Sequence, residues 1–183
     1  MTRYVFSVLA ASLVLAASTT PLRAQDMGNM SDSDYMAKMM TAAPPAVVKG
    51  ATIIVMNKDG SVRTLQAGTN GFTCLMMGPD PGCADQNAMA WAKAYLSHST
   101  PPPGVGFVYM LAGDNGASNT DPWALAQTAT NHWVKTGPHV MILGTPAGTM
   151  GYPMTPDPDP SKPYVMWPNT PYAHLMIPVS TTP

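Results

Sequence analysis

Two short segments of the chain repeat one arrangement of metal-capable side chains, Pro138-His139-Val140-Met141-Ile142 and Ala173-His174-Leu175-Met176-Ile177. In each, His and Met stand two residues apart, the interval that puts side chains on one face of an extended strand. Imidazole nitrogen and thioether sulfur together make a copper donor set. Thioether favours Cu(I), imidazole serves either oxidation state, and Zn²⁺ would lack its usual thiolate or carboxylate partners. The expected metal ligands are therefore His139, Met141, His174 and Met176, with copper as the expected cofactor. Val140 and Ile142 alternate with the first pair, and Leu175, Ile177 and Val179 with the second. That aliphatic face reads as the core face, leaving His and Met on the other side. If the two strands are neighbours, two imidazoles and two thioethers converge on one ion. Plain sheet packing accounts for the same residues, since antiparallel sheets carry mixed faces and Met is an ordinary strand filler. The repetition of the spacing is what sets the pattern above a lone His.

Other chemistry is thinner. Cys74 and Cys83 enclose LMMGPDPG, whose two Pro and two Gly can bend the chain back on itself. A disulfide in an oxidising compartment is the expectation, because the nine-residue offset matches no CxxC-type zinc pattern. The chain has no Glu and none of the G-x-S-x-G, H-E-x-x-H, P-loop or dinucleotide fingerprints, which leans against an enzyme. The alternative reading is a small exported enzyme using His139 or His174, with Asp114 or Asp121 to orient the imidazole. The leading reading is a periplasmic binding protein with a His/Met copper-type site, and a purely structural or interaction domain is the third. Asp114, Asn115, Asn119 and Asp121 resemble calcium ligands in type but lack the D-x-D-x-D-G spacing. Met27, Met30, Met36 and Met39 repeat the interval of Met-only Cu(I) sites, although compositional bias in a tail explains them as well.

The elements that must position these groups follow from composition. Charged residues are 10% of the 183, well below the usual quarter, and the formal net charge is −1. No basic block points to nucleic acid. Residues 1–24 read as a secretory signal peptide: Arg3, the apolar run Tyr4–Ala17, a break at Pro21, and Ala24 before the cut. The run is short for a membrane span. A periplasmic or secreted location follows, with no membrane span after cleavage. Residues 25–46 read as a mobile Met-rich segment with room for a short helix around Asp34–Met40, and 47–183 as a single globular domain.

Within that domain the spacing predicts an α+β fold: a largely antiparallel sheet of five to six strands, one amphipathic helix, and long Pro/Gly-rich loops. Three consecutive strands, Ala51–Asn57, Ser61–Gln66 and Phe72–Met76, read as a meander. The helix is Asp85–His98, with Asp85 as cap and Ala88, Trp91, Ala92, Tyr95 and Leu96 as its apolar stripe. Further strands are Gly106–Leu111, Pro138–Gly144 and Tyr172–Val179. The stretches ATIIVMNKDGSVRTLQAGTNGFTCLM, SNTDPWA, GPHVMI and TPYAHLMIPV together resemble a family of exported bacterial proteins of unassigned function. The resemblance spans roughly residues 46–179. It implies one exported domain and no particular activity.

Overall fold

A computed structural model describes residues 30–180. The signal-like segment and Met27 lie outside the described residues. The chain is α+β, and its centre is an eight-stranded, mostly antiparallel sheet. In chain order the strands are β1 Thr52–Met56, β2 Val62–Gln66, β3 Thr73–Met77, β4 Asp80–Ala84, β5 Gly106–Met110, β6 Ala117–Ser118, β7 Trp133–Val134, β8 His139–Leu143, β9 Tyr164–Met166 and β10 His174–Pro178. The sheet order is β2-β1-β3-β4-β5-β8-β10-β9, and β6 and β7 pair by themselves. Helices are α1 Asp32–Met39, α2 Pro45–Gly50 and α3 Gln86–Leu96.

Eight strands exceed the five or six expected, and the reason is local chemistry. β4 reads DPGCA, a turn-like string. It forms a strand because β3 holds it: Cys74 stands directly opposite Cys83 and the two are disulfide-bonded. Gly78, at φ 63, supplies the left-handed turn between them. The expected meander is also rearranged. β1 sits between β2 and β3 and runs parallel to β3, so the chain crosses over rather than folding strand by strand.

Residues 30–46 are built into the fold, unlike the mobile segment expected. Tyr35 and Met39 are buried with Val48, Ile53 and the disulfide. The Tyr35 hydroxyl donates to Ile54 O at 2.7 Å and accepts from Met76 N at 3.1 Å. A helix of eight residues is marginal alone and forms here because its apolar side is buried.

α1 and α2 cover one sheet face and α3 the other. Cys83 and Tyr109 point to the first, Ala84, Val108 and Met110 to the second. Asp85 caps α3, accepting from Ala88 N at 2.8 Å. Ala88, Trp91 and Ala94 are its buried positions, whereas Leu96 from the expected stripe is exposed. α3 rests directly on β5 because Gly106 has no side chain: a Cβ there would come within 2.6 Å of Ala88 N.

Candidate functional site

β8 and β10 are neighbours, paired antiparallel with Met141 directly opposite Met176. His139 and Met141, and His174 and Met176, therefore share one face. That face is not the solvent side expected from the aliphatic pattern. It lies under α3, with Trp91, Trp167 and Tyr172 packed on it. His139 is 0% exposed, His174 3% and Met176 2%. The aliphatic face is covered as well, by the 3-10 turn Thr145–Thr149 over Leu175 and Val165, but Val140, Ile142 and Ile177 remain half-buried. Alternation alone favoured the wrong side because α3 brings large aromatic rings, and these cover more area than the single turn opposite.

Each buried imidazole has one anchored nitrogen. His139 Nδ1 donates to Gly137 O at 2.7 Å, and His174 Nδ1 donates to Tyr172 O at 3.0 Å. A carbonyl can only accept, so the proton sits on Nδ1 and the lone pair on Nε2. This is the tautomer a metal-ligating His adopts, with its second nitrogen held by a carbonyl. His139 Nε2 is fully buried and has no hydrogen-bond partner.

Burial among apolar groups disfavours the imidazolium. It lowers the His139 pKa, against the pull of the Gly137 carbonyl and the nearby Asp114 and Asp80 carboxylates. It pushes His174 down to about 4. Burial also raises the Asp114 carboxyl, opposed by the backbone N–H of Thr136 that it accepts. Tyr164, whose hydroxyl meets Thr136 Oγ1 at 2.8 Å, is pushed up to about 12 by the same cause. Both imidazoles are thus held neutral at pH 7, and the Asp114 and Asp80 carboxylates act on His139.

The register sets how the donors are distributed. His139 faces Pro178 and His174 faces Leu143. The imidazoles are four residues apart along the ladder and one strand across, about 14 Å between Cα atoms at standard strand spacings. Each has its Met neighbour two residues on. Each also has a thioether that sequence reasoning missed: β5 places Met110 opposite His139, and β9 places Met166 opposite His174. Neither Met belongs to a His-x-Met string, so only strand pairing reveals them.

The His174 end is further shaped by aromatic rings. Its ring stands edge-on to Trp91 at 5.7 Å and to Trp167 at 4.8 Å. Trp167 is buried at φ 53, a left-handed conformation that its neighbours must hold. They do so through Trp167 N to Asn119 O at 3.1 Å and Nε1 to Ser118 O at 2.8 Å.

The remaining loop residues have structural partners. Asp114 accepts from Gly116 N and Thr136 N, and Asp121 from Trp123 N. Asn115 bonds Asp80, and the Asn119 amide nitrogen donates to Thr155 O and Pro156 O. Among the described residues no three His, Cys, Asp or Glu side chains come together to hold a metal. No helix among them is long and apolar enough to cross a membrane. No protein-family model matches the chain, and no curated protein and no solved structure is significantly similar to it.

Proposed function

We propose that this is an exported protein that binds Cu(I) on the inner face of its sheet, through His139 Nε2 and the thioethers of Met110 and Met141. One observation carries the reading. A buried imidazole nitrogen with a lone pair and no partner costs free energy unless something coordinates it. Met110 stands opposite His139 on β5, and Met141 follows it two residues along β8 on the same face. One imidazole with two thioethers is a soft, uncharged donor set, suited to a monocation that tolerates three ligands and poorly suited to Zn²⁺, Ca²⁺ or Mg²⁺. The disulfide and the signal-like first 24 residues support an oxidising, exported setting. An acid–base role for His139 is less well supported, because its Nε2 is enclosed and meets no hydroxyl or carboxylate.

The test is anaerobic competition for Cu(I) against a chelator of micromolar affinity, using the whole mature chain. His139→Asn keeps an N–H for the Gly137 carbonyl and removes the metal donor. It should weaken uptake at least tenfold while the unfolding midpoint moves little. Met141→Leu should weaken Cu(I) and leave Cu(II) nearly unchanged. Met27→Leu with Met30→Leu removes donors from the N-terminal segment and should leave uptake unchanged. No Cu(I) uptake by the wild-type chain would reduce the His/Met face to packing.

A further inference from the structure

The pairing of β8 with β10 is symmetric about the Met141–Met176 pair. A twofold rotation through that pair exchanges His139 with His174, because each imidazole lies two residues before its own Met. The symmetry extends one strand outward on both sides. β5 contributes Met110 beside His139, and β9 contributes Met166 beside His174. Directly opposed residues in an antiparallel pair hold their Cβ atoms about 5 Å apart, well within the reach of a thioether. Both imidazoles are anchored alike, Nδ1 to the carbonyl two residues earlier, which leaves Nε2 as donor in each. A surface cleft borders each end of the ladder, one of about 440 Å³ lined by Gly137, Pro138 and Pro178, the other of about 390 Å³ lined by Gly144, Thr170 and Ala173.

We infer that the chain binds two Cu(I) ions, the second at His174, Met166 and Met176 beside the indoles of Trp91 and Trp167. This rests on the reading of the His139 half as a copper site. The separation of the imidazoles decides against a shared ion. At about 14 Å between Cα atoms, two Nε2 donors bonding one metal at about 2 Å would each need a fully extended side chain lying along the sheet. Their Cβ atoms instead stand out from it. The two halves also differ in charge. Asp114 is held by Thr136 N, three residues before His139, and Asp80 by Asn115 N next to Asp114, so both carboxylates sit toward the His139 end of the ladder. A cation therefore fills the His139 half first, and its charge opposes the second. The second half offers a different compensation, since indole rings attract a desolvated cation. Trp91 and Trp167 lie nearly parallel, 6° apart, with the His174 ring edge-on to both.

The experiment titrates the mature chain with chelator-buffered Cu(I) while recording metal uptake and tryptophan fluorescence. Two ions should bind in separate steps, with the indole emission quenched mainly in the weaker second step. His174→Asn should leave one ion and remove the quench. His139→Asn should leave one ion that still quenches. Met166→Leu should weaken the second step about tenfold and spare the first. Near-ultraviolet circular dichroism of each variant checks that the aromatic packing is intact. If a single ion binds and either His substitution abolishes it, one ion bridges both imidazoles and the two-ion inference is overturned while the copper reading stands. If one ion binds and only His139→Asn removes it, the His174 half is packing alone and the inference is again overturned. No uptake in any step overturns both.

Discussion

Acid should destabilise the metal-free protein through His174 in particular. Its ring is 3% exposed and held neutral, with a pKa pushed down to about 4 by burial. In the unfolded chain the same group titrates near its reference value of about 6.5. Between those two values the unfolded state binds a proton that the folded state refuses. Stability is therefore full above about pH 6.5, falls as the pH drops, and levels off below the folded value. The shift corresponds to roughly 3 kcal/mol in total, most of which is lost by pH 4.5. Asp114 opposes this trend. Its carboxyl is raised above the ordinary value, so the folded state holds a proton that the unfolded state releases, and its contribution grows as the pH falls. The comparison that isolates His174 is with His174→Asn, which keeps an N–H for the Tyr172 carbonyl and cannot titrate. Urea unfolding of both proteins, disulfide intact and chelator present, at pH 7 and pH 4.5 gives the answer. The wild type should lose about 2–3 kcal/mol more than the variant. Equal losses, within about 0.5 kcal/mol, would mean that the ring protonates in place and that its burial is misunderstood.

Three further outcomes are expected. Trp91→Ala should cost about 3–5 kcal/mol in chemical denaturation, as for large aromatics lost from a core, but Trp91→Phe should cost under about 1.5 kcal/mol because it also removes a buried indole N–H with no partner. Mass spectrometry without reduction should find no alkylatable thiol, and replacing Cys74 and Cys83 by Ala should lower stability by about 2–3 kcal/mol from loop entropy over nine residues. Tyr35→Phe removes a hydroxyl that joins α1 to Ile54 and Met76, and should cost about 1–2 kcal/mol in thermal unfolding; no change would return residues 30–46 to the status of a loose tail.

The readable elements were those whose signal is local. α3 was legible because Asp85 caps it, the stripe through Ala88 and Trp91 has helical period, and Pro101 onward cannot continue it. β8 and β10 were legible from alternation, and the disulfide from two cysteines separated by a segment rich in Pro and Gly. β4 was not, because Pro81 and Gly82 have poor strand propensity and are held there by pairing with β3. α1 was legible only as a short helix around Asp34–Met40; its place in the core was not, because its sequence is weakly amphipathic and its stability comes from burial against β1 and β3.

For the site, sequence alone determined the donor types and the shared face of each His-x-Met pair, since a strand's period of two is a property of the backbone. It could not determine which face would be inside. That was decided by where α3 docks, and α3 docks where Gly106 lets it approach and where the rings of Trp91, Trp167 and Tyr172 find a broad surface. Nor could it determine how many donors each imidazole meets. Met110 and Met166 lie 29 and 8 residues from their partners in sequence and become neighbours only through the register of β5 with β8 and of β9 with β10. Register is set by the packing of whole strands, which no local spacing encodes.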